Sequence, residues 1–371
     1  MAVPLFDTST PLAPLRAQLR AAIDRVLDSE RYILGPEVSA FEREFAAHCG
    51  AEHAVGVANG TDAITIALRA MGVGAGDEVV VPSFTFYASA EAIPPTGATP
   101  VFCDVDPDTF CITDETVRAV LTPRTRAVIA VHLFGNVAPI AQIQALGVPV
   151  LEDAAQAAGA RAGERRAGAL GTVATFSFFP SKNLGCFGDG GMITTSEQSI
   201  AERARTLRFH GSRDKVSYEL LGYNSRLDEL QAAILRVQLP HLDDWADGRR
   251  QAALHYEHAG LGELVALPRA SAGASPAWHL YVIADAHVER LEAALAAAGI
   301  GHKPYYRTPV HRQKPMLEWG AGAELPATEH AARTHLAIPM SPLLTREQAD
   351  EVVAAAAGAR LSAGARAAPA R

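Results

Sequence analysis

The sequence predicts an α/β protein, with a large domain built on a mainly parallel sheet and a smaller α+β domain after it. Two patterns carry the prediction. Between about residues 54 and 195, short β-rich runs alternate with helical patterns, as they do where crossover helices join parallel strands. Beyond Pro240 and a loop of small residues at 268–276, the order changes to a strand, a helix and, after an interval, a terminal helix. A chain of 371 residues also predicts two cores more readily than one, because single hydrophobic cores stop growing below this length.

In the first unit, the segments 78–82, 99–104, 126–131, 148–151, 175–179 and 192–195 read as strands, being short, apolar and rich in β-branched or aromatic residues. Between the strands, 62–71 reads as a helix because Ala63, Ile64, Ala67, Leu68 and Met71 recur on one face, which should pack on the sheet. A helix over 227–239 is interrupted at Pro240, which has no N–H to continue the ladder, and a polar helical segment follows. The second unit opens with a strand at 278–283 and adds helices at 288–298 and 346–361. These signals divide the chain into a large domain, 1–248, and a small one, 249–361. Residues 362–371 have no apolar period and read as a disordered tail.

Composition narrows the function. With 49% hydrophobic and 20% charged residues the chain is globular, and no apolar run is long enough to span a bilayer. The first residues lack a basic segment followed by an apolar core, so a soluble, cytoplasmic protein is expected. A net charge of −8 argues against nucleic acid as a partner. Cys49, Cys103, Cys111 and Cys186 have no paired ligand spacing and read as reduced thiols. His255 and His258 have near-helical spacing without an acidic or cysteine companion, so they read as surface residues and no metal is expected.

Arginine supplies most of the positive charge; lysine occurs only at positions 182, 215, 303 and 314. A guanidinium keeps its proton in a protein, whereas an ε-amine can be desolvated, deprotonated and made nucleophilic. Lys182 stands in Phe176-Ser-Phe-Phe-Pro-Ser-Lys182-Asn-Leu-Gly-Cys-Phe-Gly-Asp-Gly-Gly191 and invites a reading as a Schiff-base lysine. Alone, a lysine ahead of a glycine-rich stretch is ordinarily a solvated loop residue, so its companions decide.

Three segments should end strands at one edge of the sheet, where open α/β proteins bind ligands. In Ala58-Asn-Gly-Thr-Asp62, the N–H groups of Gly60, Thr61 and Asp62 at a helix start can hold a phosphate, with the Asp62 carboxylate pointing away. In Val150-Leu-Glu-Asp153-Ala-Ala-Gln156, Asp153 can face a pyridinium nitrogen and keep it protonated. Gln156, one helical turn on, can reach a ring hydroxyl, while Glu152 faces elsewhere. Ser177, in the strand before Lys182, can share the phosphate with Thr61. Taken singly, the first segment is also an ordinary capped helix start and Asp153 a helix cap. Neither glycine-rich run, 185–191 or 72–76, has the strand–glycine–helix context of a dinucleotide site.

A phosphate cradle, an acid for a pyridine nitrogen and a Schiff-base lysine, in this order, suggest pyridoxal 5′-phosphate. The chain resembles the DegT/DnrJ/EryC1/StrS sugar aminotransferases, of the aspartate aminotransferase type fold (fold type I). The resemblance rests on runs such as Asn59-Gly-Thr-Asp-Ala63, Val131-His-Leu-Phe-Gly135, Glu152-Asp-Ala-Ala-Gln156, Phe176-Ser-Phe-Phe-Pro-Ser-Lys182 and Gly222-Tyr-Asn-Ser-Arg-Leu-Asp-Glu-Leu-Gln231. It implies an amino-group transfer from L-glutamate to a nucleotide-linked keto sugar, with pyridoxamine 5′-phosphate as the intermediate form of the cofactor. It also implies Lys182 and Asp153 as catalytic residues, Phe86 stacked on the cofactor ring, and a homodimer with shared sites in which Asn224 reaches the neighbour's phosphate. His132, Tyr306 and His311 become candidate substrate contacts, although Tyr305-Tyr-Arg-Thr-Pro-Val-His311 departs from the family's more frequent His-Tyr-Pro pattern. The alternatives are an aminotransferase for a keto-cyclitol or related aminocyclic precursor and, in another class, a non-catalytic regulatory or binding protein on the same fold.

Overall fold

The computed structural model describes residues 3–365. Seven strands form the central sheet: β1 (His53–Val57), β2 (Glu78–Pro82), β3 (Thr99–Cys103), β4 (Thr125–Val131), β5 (Val150–Asp153) and, after the two-residue strands β6 (Arg161–Ala162) and β7 (Arg165–Arg166), β8 (Val173–Ser177) and β9 (Gly191–Thr195). Their order in space is β1-β9-β8-β5-β4-β2-β3. Neighbours from β8 to β3 are parallel, while β9 runs antiparallel to both β8 and β1. The strands are apolar almost throughout because helices cover both faces. One of these, Gly60–Ala70, buries Ala63, Ile64, Ile66, Ala67 and Leu68 and packs on β8 and β9.

Register across this sheet positions the site. Gly191 at the start of β9 pairs with Val57 at the end of β1 and with Ser177 at the end of β8. Asp153, the last residue of β5, is level with Val131 of β4 and Thr175 of β8. The ends of β1, β5 and β8 therefore meet at the carboxyl edge of the sheet. A Cβ on Gly191 would stand 2.3 Å from the Asn59 carbonyl oxygen, so a side chain there would push the β1 loop out of place.

A second apolar cluster includes Tyr256, Tyr281, Ile283, Leu295, Leu336 and Val352, with Val3 packed into it. It forms around β11 (Tyr281–Ala284), antiparallel to β12 (His335–Ile338), and the helices Val288–Ala297 and Arg346–Ala365; the two-residue strand β10 (Ala274–Ser275) pairs with β6 instead. Far along the chain from its partner, the Glu229 carboxylate accepts the N–H groups of Gly35, Glu37 and Val38, each at 2.8 Å. A buried anion thus meets the positive end of the helix Pro36–Cys49 and ties it to the helix Glu229–Gln238.

The expected strands are present with shifts of up to three residues at their ends. Two boundaries differ. Position 248, expected to end the large domain, falls inside the continuous helix Leu242–His258, because Pro240 occupies only a 3-10 turn before helix resumes. The terminal helix runs to Ala365, so 362–365 are helical where a disordered tail was expected; 366–371 lie outside the described residues. Among the described residues, no helix is long and apolar enough to cross a membrane.

Candidate active site

The loop after β1 reaches the end of β8. The side-chain oxygen of Asn59 accepts the Asp62 N–H at 2.8 Å and caps the helix Gly60–Ala70. This corrects one expectation: the Asp62 N–H is already paired, so the exposed donors at this helix start are those of Gly60 and Thr61. A Cβ on Gly60 would lie 2.8 Å from the Ser177 Cβ, so only glycine lets the loop close on Ser177. Two backbone donors, a serine hydroxyl and the positive end of a helix make a small anion cradle.

Lys182 follows β8 in a turn closed by its own N–H on the Phe179 carbonyl at 2.8 Å. The next residue anchors the turn, since the Asn183 amide donates to the Ala277 carbonyl at 2.9 Å. Burial lowers the pKa of the Lys182 amine from 10.5 to about 8, with nearby Asp153 acting in the opposite sense. An amine of that acidity is partly neutral near physiological pH and can act as a nucleophile or base.

Asp153 is buried at the end of β5. Its Oδ2 accepts the Ser89 hydroxyl at 2.7 Å and its Oδ1 accepts the Ala155 N–H at 3.1 Å. Ser89 in turn lies 3.0 Å from the Thr85 hydroxyl. No helix follows Asp153; residues 154–160 form turns, so the helical spacing expected for Gln156 does not hold. The Gln156 carboxamide instead accepts the Phe134 N–H at 2.7 Å and donates to the Tyr306 hydroxyl at 3.2 Å. Glu152 does face away: it accepts the N–H groups of Gly168, Leu170 and Gly171.

Phe86 is 54% exposed, unusual for a phenylalanine beside a buried strand end, and its ring lies 6.3 Å from that of Tyr306. Tyr306 thus joins Phe86 and Gln156. The two histidines do not join them. His132 is fully buried, with Nε2 on Glu152 at 2.9 Å and Nδ1 accepting the Ala138 N–H at 3.0 Å. In His311, Nδ1 lies 2.6 Å from the Ser83 hydroxyl and Nε2 lies 3.1 Å from Glu329. With both ring nitrogens engaged, each histidine braces the fold and neither offers a nitrogen to a substrate. Asn224 is exposed, pairs with Arg226, and lines a groove with Ala58 and Gly188 apart from the cleft at Lys182.

The arrangement fits pyridoxal 5′-phosphate. An anion cradle that a Cβ at position 60 would fill, a desolvated amine and a carboxylate held by two donors stand along one sheet edge, with an exposed aromatic ring nearby. Sequence reasoning missed Ser89 and Thr85, which come from the short connection after β2 and carry no motif.

Similar proteins agree with this chemistry. Residues 14–357 match the DegT/DnrJ/EryC1/StrS aminotransferase family. A dTDP-3-amino-3,4,6-trideoxy-alpha-D-glucose transaminase of Streptomyces venezuelae is 47% identical over 95% of this chain and 94% of its own length. A protein of Geobacillus stearothermophilus named as a pleiotropic regulatory protein is 45% identical over 95% of this chain and 97% of its own length. The solved structure of S. venezuelae DesV superposes with a TM-score of 0.93 at 46% identity, covering 96% of this chain and 98% of that one. The lysine turn, the Asp153 strand end and the glycine cradle thus lie within a sequence match and a backbone likeness that both span nearly the whole chain, and on these grounds the chain belongs to the DegT/DnrJ/EryC1/StrS aminotransferase family.

Proposed function

We propose that the protein transfers an amino group from L-glutamate to a nucleotide-linked keto sugar, giving a nucleotide-linked amino sugar. The single observation that carries the reading is the convergence of Lys182, Asp153 and the Gly60–Ser177 cradle on one sheet edge, with the Lys182 amine desolvated. The relative named as a transaminase of a dTDP sugar supports the acceptor class.

Bound here, pyridoxal 5′-phosphate supplies a carbonyl that condenses with amines and a ring that absorbs electrons. The chain's own residues supply the rest. The N–H groups of Gly60 and Thr61, with the Ser177 hydroxyl, hold the phosphate. Asp153, oriented by Ser89 and Ala155, faces the ring nitrogen and holds its proton. Phe86 covers one face of the ring, and the free N–H of the Gln156 amide donates to the ring hydroxyl. With the cofactor bound, the Lys182 amine would take the proton from the donor's α-carbon and, as an ammonium, hold it for return to the reacting carbon. Gln156 also donates to the Tyr306 hydroxyl at 3.2 Å, which supports Tyr306 as a residue beside the cofactor.

The site is completed by a second copy of the chain, with Asn224 of each protomer serving the phosphate of the other. Support comes from the excursion that carries Asn224, on which Val216 and Leu221 are 84% and 86% exposed: two large apolar side chains that a partner surface would cover. The four buried, unpaired cysteines fit a reducing, cytoplasmic setting.

The test is a panel of nucleotide-linked keto sugars incubated with L-glutamate, with a keto-cyclitol as control and mass detection of the amino product. A product from one or more nucleotide sugars supports the reading; a product from the cyclitol alone overturns it.

A further inference from the structure

The excursion that carries Asn224 leaves the body of the protein at Phe209 and returns at Asn224, where these two residues pair antiparallel. Two glycines shape its base. A Cβ on Gly211 would run into the Leu220 carbonyl, and one on Gly222 into the Gly211 backbone nitrogen, so the two arms meet at a separation that only glycine allows. Backbone bonds fix the foot of the returning arm: the Tyr223 N–H donates to the Leu207 carbonyl at 2.7 Å, and the Ser225 N–H to the Arg208 carbonyl at 3.1 Å. Asn224, between them, accepts a bond from Arg226 on its side-chain oxygen, which leaves its amide N–H groups as the donors it can offer a second chain.

A side chain from the helix Gly60–Ala70 reaches the same arm. Arg69 Nη1 donates to the Leu221 carbonyl at 2.8 Å and to the Tyr223 hydroxyl at 3.2 Å, and the guanidinium stands over the Tyr223 ring, 5.4 Å from its centroid. Both acceptors and the ring thus belong to the excursion. The two bonds bracket Gly222, the joint with the most backbone freedom, one residue before the bonded foot of the arm. Arg69 lies in the last turn of its helix, whose first residues form the anion cradle. At about 1.5 Å per residue, the two ends are roughly 15 Å apart. One helix therefore offers a phosphate site at its first turn and grips the Asn224 arm at its last.

We propose that Arg69 is a positioning residue for the partner's site: by clamping Leu221 and Tyr223 it presents Asn224 to the phosphate held by the other chain. It acts through Asn224 and not on the phosphate itself. The inference rests on the reading above that Asn224 serves the neighbouring protomer. Its consequence is directional. Loss of Arg69 weakens the site to which a chain lends Asn224 and spares the site in which the same chain supplies Lys182 and the cradle.

The test uses mixed dimers of a Lys182→Ala chain and an Asn224→Asp chain, isolated through two different affinity tags and freed of cofactor. Their one intact site takes Lys182 from the second chain and Asn224 from the first. Pyridoxal 5′-phosphate is titrated in, and the visible band that forms only on Lys182 reports the affinity of that site. Arg69→Gln on the Lys182→Ala chain should weaken binding about tenfold, the scale of losing hydrogen bonds from a charged group. Arg69→Gln on the Asn224→Asp chain should change it by less than about twofold. Pyridoxal, which lacks the phosphate, should bind the intact site equally in both placements. The two placements have the same composition, so a folding defect cannot produce the difference between them.

Equal weakening in both placements overturns the inference, because it marks a structural role. Weakening only on the Asn224→Asp chain overturns it too, since Arg69 would then act through its own helix and cradle. So does unchanged affinity in both. A mixed dimer without Arg69→Gln that binds no better than the Asn224→Asp homodimer fails differently: it removes the shared-site reading, and the inference with it.

Discussion

Replacing Lys182 by methionine should abolish activity while making the cofactor-free protein more stable. Methionine keeps an unbranched stem and removes the ammonium, whose pKa burial lowers from 10.5 to about 8. At about 1.4 kcal/mol for each tenfold change, the charged amine costs the folded protein about 3 kcal/mol at pH 7. The side chain keeps some contact with solvent, so that figure is an upper bound, and a gain of about 1 to 3 kcal/mol is expected. Asp153 retains its bonds from Ser89 and Ala155 in the variant, so no carboxylate is stranded. The sign of the pH dependence follows from the lowered pKa. Between about pH 8 and 10.5 the unfolded chain binds the proton and the folded one does not, so wild-type stability rises with pH through this window relative to the variant. The difference should be largest below pH 8 and vanish above 10.5. Urea unfolding of both cofactor-free proteins across this range measures it. Equal stability at pH 7, or a gap that widens with pH, would refute a desolvated Lys182.

Asp153→Asn should fold and keep some cofactor but lose about a hundredfold or more in turnover, since an amide cannot hold a ring nitrogen protonated as a carboxylate does; near-normal turnover would place Asp153 elsewhere. Glu229→Gln should lower stability by about 2 kcal/mol in denaturant unfolding, because an amide offers one oxygen to the three N–H groups that the carboxylate now accepts. Co-expressed Lys182→Ala and Asn224→Asp chains, each inactive alone, should recover about a quarter of wild-type activity: about half the dimers are mixed and half their sites are intact. Verified mixed dimers without recovery would contradict the shared site.

Most of the site edge could be read from the sequence because its parts are local. A strand end followed by Asn59-Gly60 and a lone lysine after a β-rich run each announce themselves within a few residues. What escaped depends on partners far along the chain or on local competition. Asn59 takes the Asp62 N–H that was assigned to a phosphate, a choice between side chain and ligand that spacing does not settle. The family resemblance made His132 a candidate substrate contact, yet Glu152 on the strand next to β4 holds it in the core. Ser89 meets Asp153 across 64 residues. The fold shows the same contrast. The strands followed from composition, whereas Pro240 marked a break that the chain spans with one 3-10 turn before resuming helix.

The most direct test of the account is to reduce the protein, loaded with pyridoxal 5′-phosphate, with borohydride and map the modified peptide. Reduction fixes the cofactor as a stable secondary amine on whichever lysine holds it. The account predicts one adduct, on Lys182 in the peptide that continues β8. An adduct on Lys215, Lys303 or Lys314 with Lys182 unmodified would contradict it.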